Sequence, residues 1–224
     1  MTRKMVGIAA VLVVLSIAAA SIVAGSWLPE GIRLPIHWDL AGQPDQLADK
    51  WIALLTPPAL VGLVSLLFYF MPALEPRKEG LARSQGLYLY GWLALLLMGA
   101  VIEVVLLSTA FGWGVRTVHL LAGGVGIMLM LIGNQLGKSR SMYLMGLRTP
   151  WTLASEDVWI STHRLCGKLM VGGGLLMLVT ALLPVPSGVL ATISAAVILT
   201  SAGVPILDSF FAWRRETRAD QARL

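Results

Sequence analysis

Cysteine is almost missing from this chain: Cys166 stands alone, so no internal disulfide can form. Charge is scarce too. Only 13% of the 224 residues are Asp, Glu, Lys or Arg, about half the fraction carried by an ordinary soluble domain. Histidine occurs three times, and the sequence has no H-E-x-x-H, no G-x-S-x-G and no P-loop. These absences leave no catalytic residue, metal or cofactor to assign, and the chain reads as non-enzymatic. The net charge of +5 is carried by basic residues in loops and the C-terminal tail, with no contiguous patch. A nucleic-acid partner is therefore not expected.

The apolar residues, 57% of the chain, gather into about six runs nearly free of charge, at 5–27, 52–74, 87–110, 118–133, 169–183 and 189–211. Most are long enough to cross a hydrocarbon core roughly 30 Å thick as helices. The expectation is an all-α, polytopic membrane protein forming one membrane domain over 1–224. The first run follows Arg3 and Lys4 and resembles a signal peptide's start. It exceeds the roughly 7–15 apolar residues of a signal peptide, so an uncleaved first span is expected.

With the N-terminus inside, the inner segments hold 14 Lys and Arg, and the outer ones only Arg33, Lys50 and Arg116. This asymmetry predicts a bacterial inner-membrane protein with both termini cytoplasmic, an outer loop at 28–51 and a cytoplasmic loop at 134–168. Trp27, Trp51, Trp113, Trp151, Trp159 and Trp213 fall at or just beyond span ends and are read as interfacial anchors.

Two polar regions carry information. The outer loop holds His37, Asp39, Asp45 and Asp49 among Pro35, Gly42 and Pro44. His37 and Asp39 as metal ligands is one reading, a structured turn the other; the spacing names no metal. In the inner loop, Pro150 disfavours helix at Thr149, so 146–152 should be extended or turned. Ser155 is placed to cap a helix with Glu156 and Asp157 in its first turn. Val158, Trp159, Thr162, Leu165 and Cys166 then recur on one helical face, opposite Asp157, Ser161, Arg164 and Lys168. This predicts an amphipathic helix along the inner membrane surface before the fifth span.

Within the spans, Glu103 is the acid deepest in the hydrocarbon, and the following helical hairpin brings His119 to a comparable depth. A Glu103–His119 pair is expected, either as a proton-linked or ligand site or as a polar clasp between helices. Asp208 falls close to the inner end of the last span, where Arg214 or the headgroup region can compensate it. Gly123, Gly124, Gly126 and Gly172 through Gly174 are read as close helix-packing positions.

The string Tyr143 through Thr152 (YLMGLRTPWT), with Gly133-Asn134, Gly137-Lys138, Ser155, Trp159, Thr162-His163-Arg164 and Gly167-Lys168, resembles the SdpI family of bacterial membrane proteins, named for immunity to the sporulation-delaying toxin. Leu34 through Trp38, with Gly42, Pro44-Asp45 and Lys50, resembles the extracellular module that accompanies that family. Ser141-Met142 stands where family members commonly have Pro-Asn.

The resemblance implies six spans, protection against a membrane-active peptide toxin outside and, as in the founding system, signalling through a cytoplasmic regulator held at the membrane. The residues that would contact such a regulator are Asn134, Tyr143, Gly146, Arg148, Thr149, Pro150, Trp151, Trp159, His163 and Arg164, with Arg148 offering paired N–H donors. Pro35, His37, Trp38, Asp45 and Lys50 mark the outer site. The runner-up is a small transporter or permeation pathway through Glu103 and His119. A third reading, a membrane-embedded hydrolase using His163, requires an acid beside it and an open cleft.

Overall fold

Six long apolar helices organise the chain. The computed structural model describes residues 2–39 and 41–221, so Arg223, counted among the basic residues of the tail, lies outside the described residues. The elements run α1 (Arg3–Trp27), β1 (Arg33–Trp38), β2 (Pro44–Asp49), α2 (Lys50–Leu74), α3 (Lys78–Arg83), α4 (Gln85–Phe111), α5 (Thr117–Leu136), α6 (Pro150–Ala154), α7 (Glu156–Leu182) and α8 (Ser187–Gln221). All six long helices have the length and hydropathy to cross a membrane. Their outward faces are rich in exposed Leu, Ile and Val, among them Leu12, Leu63 and Leu199, as a chain solvated by lipid requires. The protein is a multi-pass membrane protein.

Six crossings give the bundle two ends. One carries the start of α1, the end of α8 and the segment between α5 and α7, and is here the loop face. The other, the hairpin face, carries β1 and β2. These pair antiparallel, with an irregular register between Pro35 and Trp38 and a turn in which Gly42 has φ of 84°. The sequence reading foresaw a structured turn here but not strands.

Two apolar cores fill the bundle. Trp92, Leu87 and Tyr88 of α4 meet Val6 of α1, Val61 of α2, Leu136 of α5, and Trp159 and Cys166 of α7. A second core joins Ala122 and Leu129 of α5 to Met177 and Ala181 of α7 and Leu190 and Val197 of α8. The glycines let α5 and α7 approach closely: a Cβ on Gly126 would lie 2.7 Å from the Gly174 carbonyl oxygen, and one on Gly167 would lie 2.5 Å from that of Gly133. Gly172, read as another packing position, faces open space.

The expected amphipathic helix on the membrane surface is instead the first part of α7, one continuous helix of 27 residues. At 1.5 Å per residue α7 spans about 40 Å, more than the hydrocarbon thickness, so its beginning projects at the loop face. Its apolar side is buried against the bundle, with Val158, Trp159, Thr162, His163 and Cys166 enclosed. A side satisfied by protein has no need of the lipid surface.

Candidate functional site

The segment between α5 and α7 folds back as a cap over the loop face. Residues 139–149 are irregular, so their backbone N–H groups need partners from elsewhere. Glu75, which ends α2 and is 1% exposed, supplies them. Its carboxylate accepts from the N–H of Tyr143 at 3.0 and 3.1 Å, of Leu144 at 2.8 Å and of Arg77 at 2.9 Å. Arg77 in turn donates to Ser141 Oγ and, at 3.1 Å, to the Leu153 carbonyl. Its guanidinium also lies 4.7 Å from the centre of the Tyr143 ring.

On the other side the cap rests on α7. The Trp159 and His163 rings, both 0% exposed, stack 3.9 Å apart. His163 Nε2 lies 2.9 Å from the Leu147 amide nitrogen, and Nδ1 lies 2.8 Å from the Trp159 carbonyl oxygen. An amide can only donate and a carbonyl only accept, so the imidazole is neutral with its proton on Nδ1. With both nitrogens committed to backbone and no acid among those partners, the hydrolase reading of His163 loses its premise. Gly146 has φ of 105°, and a Cβ there would sit 2.5 Å from His163 Nε2. Trp159 donates to Ser139 Oγ at 3.2 Å.

The expected extended stretch at 146–152 is shorter, because Pro150 starts α6 and fits the first turn of a helix. Thr149 and Thr152 form a reciprocal capping box, and the Thr152 hydroxyl reaches the Leu147 carbonyl at 2.7 Å. Ser155 caps α7 with Glu156 and Asp157 in its first turn, as the sequence predicts. Trp151 and Ser155 tie the cap to α8, through Ser209 and Glu216.

The predicted contact residues thus divide. Trp159 and His163 are enclosed and Thr149 and Trp151 half-buried, while Asn134, Tyr143, Gly146, Arg148, Pro150 and Arg164 are exposed. Arg148 uses Nη1 to hold the Tyr143 carbonyl at 2.7 Å and presents the rest of its fork outward. The anchoring expectation fails for Trp159, whose ring lies in the core, and Trp151 spends its N–H on α8 rather than on headgroups. At the end of α8, Asp208 lies 4.0 Å from Arg215, not beside Arg214.

At the hairpin face, His37 pairs with Asp45 at 2.6 Å across the two strands. The proposed metal partner Asp39 instead caps the turn, accepting from the amides of Ala41 and Gln43. Lys50, expected as a loop residue, is 1% exposed and donates to the Leu28 carbonyl and to Glu30. Pro35 is buried, and Trp38 with Ile36 overhangs a 430 Å³ apolar cleft between α2 and α4.

The Glu103–His119 pair does not form. Glu103 meets Ser21 of α1 at 2.9 Å, while His119 Nε2 donates to the Val185 carbonyl at 2.9 Å. Ser21 also donates to the Leu54 carbonyl at 2.8 Å, which the missing N–H of Pro58 leaves free. Glu103 therefore belongs to an α1–α2–α4 clasp and His119 to the α5–α7 side, which removes the premise of a shared permeation path.

Sequence reasoning missed Glu75 and Arg77, which hold the cap. Their one signal was an acid directly at the end of an apolar run, followed by proline and arginine.

Residues 138–209, which cover most of the cap and the last two spans, match the model of the SdpI/YfhL protein family. Residues 11–62, which include the hairpin, match a domain of unknown function, DUF1648. The chain is 28% identical over 159 residues to the immunity protein SdpI of Bacillus subtilis (strain 168), covering 71% of this chain and 73% of that protein. No solved structure matches at a significant level.

Proposed function

We propose that this chain, a member of the SdpI/YfhL family, is a non-enzymatic immunity protein of the bacterial inner membrane, with the hairpin face outside and the loop face in the cytoplasm. The observation that carries the reading is likeness to an immunity protein across nearly three quarters of both chains. Two features of the fold fit it.

The first is the apolar cleft under Ile36 and Trp38, which opens sideways between α2 and α4. A membrane-active peptide inserting into the outer leaflet presents an apolar face, and the apolar lining of this cleft is of matching chemistry. The second is the cap, whose buried half is fixed by Glu75 and His163 while Tyr143, Arg148 and Pro150 remain outside. That division suits a docking surface for a cytoplasmic regulator, with Arg148 recognising a carboxylate or phosphate.

The test is a deletion strain challenged with membrane-active peptides and complemented with variants of equal membrane abundance. Wild type restores growth, Trp38→Ala loses protection by opening the cleft, and Arg148→Ala loses protection or docking with the thermal stability intact. Full sensitivity of the strain complemented with wild type sinks the immunity reading. Loss of folded Arg148→Ala protein makes that residue structural.

A further inference from the structure

A second groove lies at the loop face, between the start of α1 and the end of α2, with a volume of 720 Å³. Its deep wall is apolar, formed by Val11, Val14 and Leu66 among others, and Gly7 leaves the space open. A Cβ on Gly7 would meet only the edge of Trp92, at 3.8 Å. Its mouth is cationic. Arg3 is fixed there by donating to the Tyr69 carbonyl at 2.7 Å and by lying 4.5 Å over the Tyr69 ring. Lys4 stands beside it, and among the described residues no carboxylate pairs with either. The first turn of α1 has no acid to offset them, and the helix's own N-terminal partial charge adds to the positive field.

Among the residues that line the groove below its mouth, two carry buried donors without acceptors. Ser65 Oγ and Trp92 Nε1 are buried, at residue exposures of 7% and 1%, and neither has a hydrogen-bond partner. Arg3 Nε is likewise unsatisfied. Arg3 lies level with Tyr69, and Ser65 is one helical turn deeper, about 6 Å down the groove. The groove therefore asks for a ligand with an anion at the mouth, acceptor oxygens one turn below, and hydrocarbon beneath.

A glycerophospholipid has that order of groups: phosphate, ester carbonyls, acyl chains. We propose that this groove binds one anionic glycerophospholipid of the leaflet at the loop face, its phosphate held by Arg3 and Lys4, its ester carbonyls turned to Ser65 and Trp92, and an acyl chain lying over Gly7. Which leaflet this is rests on the orientation proposed above; the chemistry of the groove does not. A filled groove ties α1 to α2 and so supports the helix pair that carries the hairpin.

Native mass spectrometry of the full-length protein, titrated with phosphatidylglycerol and phosphatidylethanolamine of identical acyl chains, tests the site. One tight phosphatidylglycerol site is expected, with phosphatidylethanolamine weaker. Replacing Arg3 and Lys4 by Gln lowers phosphatidylglycerol affinity about tenfold, as loss of a charge-assisted contact does. Gly7→Leu keeps both charges but fills the groove, and it lowers affinity for both lipids. Equal binding of the two lipids by wild type, or unchanged phosphatidylglycerol affinity in Gly7→Leu, overturns the proposal. Neither result bears on toxin protection, which is read separately.

Discussion

At the scale of single residues, the cap depends on one position where only glycine fits. Gly146 combines φ of 105° with a wall of two rings, since its missing Cβ would lie 2.5 Å from His163 Nε2 and 2.9 Å from Trp159. Gly146→Ala therefore brings backbone strain and a clash together, and should cost roughly 2–4 kcal/mol. Gly31 is the control, because its φ of 76° carries the strain while nothing lies within 4 Å of its missing Cβ. Thermal unfolding of the detergent-purified protein should show Gly31→Ala losing only about 1 kcal/mol. Equal losses at the two positions would mean that the ring wall around Gly146 gives way and that the cap is not locked against α7.

At the scale of elements, α5 and α7 carry glycines at the same seven-residue interval, Gly126 and Gly133 facing Gly174 and Gly167. The contact partners are backbone carbonyls, which cannot rotate aside. Gly126→Leu should force the helices apart and lower stability by roughly 3 kcal/mol. Gly172→Leu, one face round on the same α7, should be neutral. The comparison is again a thermal melt, and a neutral Gly126→Leu would show that the close approach contributes nothing. Of these, Gly126 and Gly174 were legible in the sequence as packing positions because small residues within apolar runs have few other uses, whereas Gly133 and Gly167 stood out only through the family resemblance. The six spans were legible from hydropathy, and the Ser155 cap with Glu156 and Asp157 from chemistry within one turn. What stayed hidden depends on distant partners. Glu75 finds the Tyr143 amide 68 residues away, and Glu103 finds Ser21 at a separation of 82. Lys50 is buried because the hairpin delivers the Leu28 carbonyl and Glu30 to it. No periodicity announces such pairs, and His119, which the helical hairpin brings to a comparable depth, was the wrong partner for Glu103.

At the scale of the whole molecule, orientation is set by where the cations lie. The structure sharpens the asymmetry seen in the sequence, since Lys50, one of three basic residues on the hairpin face, is buried and paired to Glu30. Arg33 and Arg116 remain there, against thirteen described basic residues toward the loop face: Arg3 and Lys4, eight others from Arg77 through Lys168, and three arginines near the end of α8. Short segments with that many cations resist translocation, so the loop face should be cytoplasmic. Cys166 makes the test simple: its thiol is buried and donates to the Ser201 carbonyl, so the wild-type chain gives a low background with a membrane-impermeant maleimide. A cysteine replacing exposed Gln46 on β2 should react in intact cells. One replacing exposed Lys138 beside the cap should react only after the membrane is opened. The opposite pattern would put the cap outside and the apolar cleft under Trp38 in the inner leaflet, where no external peptide arrives first, and the immunity reading would lose its geometry.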